Sequence, residues 1–208
     1  MARLRPIAYL NIFMPFWFLF LYLMMSDARQ DYSHLTEAIS ELGSLDAPNL
    51  WIWNIFGYVL PGFTVSLLGL ALYRIFPSHP KRSAIAAIGL LVFGLLMALS
   101  GVFPADMSDL SAPTSRLHIA GAMGSYPAFL VSGFLYPKLF AAHSEWRWAS
   151  KPSLILVVLS VASGPLRFLG DAPGLGQRIT FATVFAWLIL VSVALLLAVH
   201  RSERQPNA

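Results

Sequence analysis

The sequence predicts an all-α, polytopic membrane protein: a six-helix bundle with both termini cytoplasmic and a short amphipathic helix in its first outer loop. Three observations predict it. Hydrophobic residues make up 57% of the 208 positions and charged residues only 12%, about half the charge that a soluble domain carries. The apolar residues fall into six uncharged runs. The charges gather between those runs, where they border lipid rather than cover a water-facing surface.

The runs cover residues 7–25, 50–73, 83–103, 119–137, 152–166 and 179–199. A helix rises about 1.5 Å per residue, so ~20 residues cross a ~30 Å hydrocarbon core. The fifth run is short and reaches residue 169 if the Arg167 side chain snorkels to the interface. None of the runs shows the alternation of barrel strands, and lipid requires every backbone polar group to be paired, so each is read as a helix. Arg3 and Arg5 precede the first run, and Ser26-Asp27-Ala28 loosely resembles a signal-cleavage site. The apolar core there is nevertheless longer than the 7–15 residues typical of a signal peptide, so it is read as a retained span. Residues 1–208 form one transmembrane domain on this reading.

Orientation follows from the short segments. One side collects ten lysines and arginines against Glu145 and Glu203, a sum of +8; the other holds four arginines against eight acids, a sum of −4. Together they give the chain's net +4. The excess of lysine and arginine places the first side, with both termini, in the cytoplasm of a plasma (inner) membrane. Bases so distributed flank spans and build no nucleic-acid face. The chain has no cysteine, which excludes disulfides, thiolate metal sites and a cysteine nucleophile.

Proline and glycine punctuate the spans. Gly57, Gly62 and Gly69 in the second, and Gly121 with Ser125 in the fourth, allow close helix approach. Each outer loop carries an Ala-Pro step shortly before the next span, at Ala47-Pro48, Ala112-Pro113 and Ala172-Pro173. Turn and helix-start chemistry accounts for these.

The first outer loop is the most informative. Over residues 33–42 the spacing predicts an amphipathic helix, with His34, Glu37 and Glu41 on one face and Leu35, Ala38, Ile39 and Leu42 on the other. Asp31 or Ser33 can cap its start, Gly43 suits its end, and Asp46 can cap the second span with Pro48 in its first turn. Asn49 lies beside that start. The second outer loop brings Asp106, Asp109, Arg116 and His118 to the mouth of spans three and four, and the third brings Arg167, Asp171, Gln177 and Arg178 to that of five and six. His118, in the first turn of span four, sits near membrane depth, where ionisable groups are costly and are functional candidates by default.

Ile39-Ser40-Glu41-Leu42-Gly43 with Ala47-Pro48-Asn49, then Gly101-Val102-Phe103-Pro104-Ala105-Asp106, then Leu117-His118 with Gly121, and finally Gly176-Gln177-Arg178 with Trp187, resemble the prokaryotic domain-of-unknown-function family numbered 998 (DUF998). The motifs run from the first outer loop to the sixth span. More distantly the arrangement resembles the Frag/DRAM/Sfk membrane family, although Glu41 stands where that group tends to have aspartate. The resemblance implies a six-helix membrane protein whose marked positions cluster on the outer face, and it brings no reaction.

Three functions fit. The first is an outward-facing site for a lipid headgroup or other small polar ligand, with or without hydrolase or transferase chemistry. Glu41, Asp106 and His118 are then the acid/base candidates, and His34, Glu37, Asn49, Arg116, Arg167 and Arg178 the ligand-binding ones. The second is a non-catalytic scaffold or sensor in contact with another protein. The third is a transporter, against which the central portions of all six spans lack Asp, Glu, Lys, Arg and His. A metal version of the first would recruit His34, His118, Glu41 and Asp106, but no HExxH or equivalent spacing supports it, and no metal or other cofactor is expected. The partners expected are membrane lipids and that ligand. Whether the protein is an enzyme is left open by the sequence.

Overall fold

A computed structural model of the chain describes residues 2–73, 75–169 and 171–204, apart from the side chains of residues 2, 167–169 and 204. Six helices are long and apolar enough to cross a membrane. These are α1 (Arg5–Ala28), α2 (Leu50–Leu72), α3 (Pro80–Val102), α4 (Pro113–Ala142), α5 (Arg147–Ala162, continued after Ser163 by the short helix Gly164–Leu169) and α6 (Pro173–Arg204). The protein is a multi-pass membrane protein. Helices outrun the apolar runs at most ends, because proline suits the first turn and lysine and arginine are good helix formers even where they leave the hydrocarbon.

Each helix packs against its neighbours in sequence, and α6 returns to α1, so the six close into a ring. An ion pair between Arg5 and Glu203 ties the two terminal helices together at one end. That end, with the α2–α3 and α4–α5 connections, carries most of the lysine and arginine and is called the basic end. The opposite end carries most of the carboxylates and is called the acidic end.

Small residues set the seams. A Cβ on Gly62 would lie 2.5 Å from the Gly94 carbonyl oxygen, and one on Gly121 would lie 2.7 Å from that of Leu96. No larger residue fits either place, so backbone meets backbone from α2 to α3 and from α3 to α4. Hydroxyls bridge the same seams. Ser132 donates to the Ala86 carbonyl at 2.7 Å and Ser66 to that of Leu91 at 3.2 Å. Asn11 of α1 donates to the Thr64 carbonyl of α2 at 2.9 Å. In lipid such bonds average about 0.6 kcal/mol each, so they fix register more than they add stability. Trp187 of α6 is fully buried against α4 and α5; its indole donates to Ser153 at 2.6 Å and meets the Phe129 ring edge-on at 5.3 Å.

Residues 54–59 of α2 form a π-helical turn directly before Pro61. The proline ring would clash with the carbonyl four residues back in a regular helix, and the widened turn relieves this. Proline also opens α3, α4 and α6, as the Ala-Pro steps at 112–113 and 172–173 anticipate. The start of α2 differs from expectation. Asn49 occupies the cap position, Pro48 stays in the preceding turn, and Asp46 instead accepts from Arg29 and Ser44.

Candidate functional site

The first loop at the acidic end does not form the expected α-helix over 33–42. It makes a turn at 34–36, runs extended, and then forms a 3-10 helix over Ile39–Gly43. The physical reason lies in α6. A regular helix would bond the Ile39 amide to the Leu35 carbonyl. Here the Ile39 amide donates to the Gln177 side-chain oxygen at 2.6 Å, and the Leu35 carbonyl accepts from the Leu175 amide at 3.1 Å. Arg178 adds a third tie, to the Glu37 carbonyl at 2.9 Å. Ser33 does cap, but it caps the turn, accepting from the Thr36 amide at 3.3 Å.

Ties to the other elements complete the loop. Arg29 donates to the Glu41 carbonyl and to Asp46, Asn54 donates to the Gly43 carbonyl at 2.8 Å, and the Leu45 amide reaches the Ala105 carbonyl at 2.9 Å. Gly174 packs so closely under the loop that a Cβ would lie 2.5 Å from the Glu37 carbonyl oxygen. The loop is therefore a fixed roof rather than an interfacial helix.

Beneath this roof is a cavity of about 400 Å³. Its upper wall is formed by Thr36, Ala38, Ser40 and Glu41 of the loop, with Ser100, His118 and Gln177 from α3, α4 and α6. Below them the lining turns apolar, through Phe93 and Met97, Ile119 and Met123, and Phe181 and Phe185. Each of these pairs is spaced i, i+4, which sets both side chains on one helix face. From His118 to Tyr126 along α4 the lining descends about 12 Å. A volume of this size falls in the range of small-molecule sites, about 300–1,000 Å³.

His118 is 4% exposed, and its Nδ1 lies 2.8 Å from the Ser100 carbonyl oxygen and 3.1 Å from that of Phe103. Carbonyls only accept, so Nδ1 carries the proton and the neutral ring keeps its lone pair on Nε2. Glu41 accepts from the Ala38 amide at 2.8 Å through Oε1. Burial holds its carboxyl above the usual range, only partly offset by that amide. Glu41 and His118, from different hairpins, thus both line the cavity.

The other candidates are placed differently. Asp106 lies outside the lining, where it accepts from the Ser108 amide and hydroxyl at 2.9 and 2.6 Å, and Asp109 does the same for Ser111. These bonds hold both carboxyls below the ordinary range. Arg116 is exposed on the first turn of α4, away from the cavity. Arg178 is spent on the roof: besides Glu37 it donates to the Tyr22 and Tyr32 hydroxyls at 2.7 and 2.6 Å. His34 bonds Tyr22, Glu37 accepts from the Ser33 amide at 2.5 Å, and Asn49 starts α2. The Arg167 side chain lies outside the described residues. Among the described residues no group of three or more His, Asp or Glu could hold a metal ion.

Sequence reasoning missed Tyr22, Tyr32 and Arg29, which hold the roof, and the apolar lining below it. The i, i+4 pairs were visible, but in a chain this apolar they cannot be told from lipid-facing pairs.

A family model described as protein of unknown function (DUF998) matches residues 12–194. No curated protein and no solved structure matches the chain.

Proposed function

This chain belongs to the DUF998 family, and from its own geometry we propose that it binds an amphiphilic molecule, a lipid or lipid-like ligand, beneath the first loop. The apolar body occupies the cavity between α3, α4 and α6, and the polar head meets Glu41 and His118. One observation carries the reading: the cavity is polar at its roof and mostly apolar over the roughly 12 Å below it, where the Ser125 and Thr180 hydroxyls are bonded to helix carbonyls, the polarity profile of an amphiphile. The excess of lysine and arginine puts the basic end in the cytoplasm and the cavity mouth on the outer side of the plasma (inner) membrane.

His118 Nε2 can accept a proton, and the Glu41 carboxyl, its pKa raised by burial, can take or give one. Such a pair supports proton transfer on a head group seated between them, the step that hydrolase or transferase chemistry needs. The scaffold reading has support of its own, since Arg178, Arg29 and Asp106 each have a private structural partner.

Filling the cavity separates the two readings. Ala122→Trp places an indole against the lining. Native mass spectrometry of protein released from mild micelles should show a retained amphiphile in the wild type and none in the variant, with both eluting as one folded species. Equal lipid retention by the two proteins leaves the scaffold.

A further inference from the structure

The charges that reach the cavity define the head group it accepts, an inference that rests on the amphiphile reading above. Glu41 brings a carboxyl to the lining, and among the described residues no lysine or arginine lines it. The guanidinium groups nearest the roof point their donors elsewhere. Arg178 holds Tyr22, Tyr32 and the Glu37 carbonyl, and Arg29 holds the Glu41 carbonyl, Ser44 and Asp46.

Three hydroxyls of the lining are similarly committed. Ser100 donates to helix carbonyls, Ser125 to the Ala122 carbonyl at 2.8 Å, and Thr180 to that of Gly176 at 3.0 Å. Glu41 and, by its tautomer, His118 Nε2 are the strongest acceptors among the lining residues, beside the neutral donors of Gln177, Thr36 and Ser40. An anionic head would sit beside the Glu41 carboxyl, with Arg29 bonded to the Glu41 carbonyl and Asp46 and Arg178 to the Tyr22 and Tyr32 hydroxyls. A donor head would satisfy both acceptors.

We propose that the cavity selects amphiphiles whose head is a hydrogen-bond donor carrying positive charge, a protonated amine, over those with an anionic phosphate or carboxylate. Glu41 is the selecting residue, through a charge-assisted hydrogen bond to the ammonium. His118 Nε2 accepts a second N–H. Arg29 reaches only the Glu41 backbone carbonyl, so an ammonium would bring positive charge directly to the carboxyl.

Three ligands with the same chain and different heads test this: dodecylamine, dodecanol and dodecyl phosphate, each added to micellar wild type, Glu41→Gln and Ala122→Trp, with thermal unfolding as the readout. Dodecylamine at about a hundredfold excess over Kd should raise the wild-type Tm by roughly 5–10 °C relative to Ala122→Trp. Dodecanol should raise it less, and dodecyl phosphate not at all. Glu41→Gln should lose the amine's advantage and keep the dodecanol shift. If dodecyl phosphate matches or exceeds dodecylamine, or if the amine preference survives in Glu41→Gln, the head-group assignment is overturned while the cavity reading stands. If no ligand separates wild type from Ala122→Trp, the amphiphile reading itself fails. Should Ala122→Trp not fold, Ala122→Phe fills the same wall with less bulk.

Discussion

The two ends of this bundle use similar side chains to opposite effect. At the basic end the chain between α2 and α3 turns Phe76 inward. That ring is 1% exposed and packs on Tyr136, Phe140, His143 and Trp146 with centroids 4.9–6.3 Å apart. Ser78 closes the surface above it, bonding His143 at 2.7 Å and His79 at 3.1 Å. At the acidic end aromatic rings also face inward, but a longer loop is held above them by α6 and α1, and the space below remains a cavity. Aromatic residues alone decide neither outcome. What differs is the connection: short and inserted at one end, long and suspended from arginine and glutamine at the other.

Three measurements would break or sharpen that contrast. The largest effect is expected from Phe76→Ala, which removes the plug of the basic end and should cost about 3–5 kcal/mol of stability. Measured by thermal or denaturant unfolding, the loss should leave amphiphile binding at the far end unchanged in the folded fraction. A parallel loss of binding would show that the two ends are coupled.

Arg178→Met comes next. It removes the donors to Tyr22, Tyr32 and the Glu37 carbonyl while keeping an apolar stem, and hydrogen bonds to a charged group are each worth about 1.5–3 kcal/mol. Hydrogen exchange should rise across residues 33–43 and binding should weaken, with residues 75–79 as protected as before. Unchanged protection of the loop would mean that its other ties, from Gln177, the Leu175 amide, Arg29 and Asn54, suffice to hold the roof.

The smallest effect is electrostatic and local. Asp106 and Asp109 have carboxyls held below their ordinary range by Ser108 and Ser111. Groups with a depressed folded-state pKa contribute stability above the unfolded value, about 3.9 for aspartate, and lose it as pH falls through the folded value. Glu41 has the opposite sign: its raised pKa favours folding as pH falls and disfavours it as pH rises through the folded value. Pepsin cleavage below about pH 4 should therefore begin within residues 103–112 before it reaches 33–43. The reverse order would contradict the environments assigned to these acids.

Much of the architecture was legible beforehand. Each of the six long apolar helices overlaps one of the runs read from composition, α4 and α6 extending past theirs at both ends, and the proline starts at 113 and 173 are where the Ala-Pro steps put them. The site was legible only in part. Glu41 and His118 do share one cavity, but Asp106, Arg116, His34 and Asn49 do not line it, and Arg178 is a strut of its roof. The amphipathic pattern over 33–42 was present yet gave no α-helix. Partners 138 and 141 residues away captured the amide of Ile39 and the carbonyl of Glu37. Local periodicity carries no information about such distant competitors.

The sequence by itself determined that this chain lives in lipid and that it makes six helices long and apolar enough to cross a membrane. Those properties are sums over contiguous residues, and hydrocarbon penalises any other solution. Only the tertiary structure decided which polar groups meet. That depends on which helix faces turn inward and on which backbone groups a guanidinium or amide reaches first.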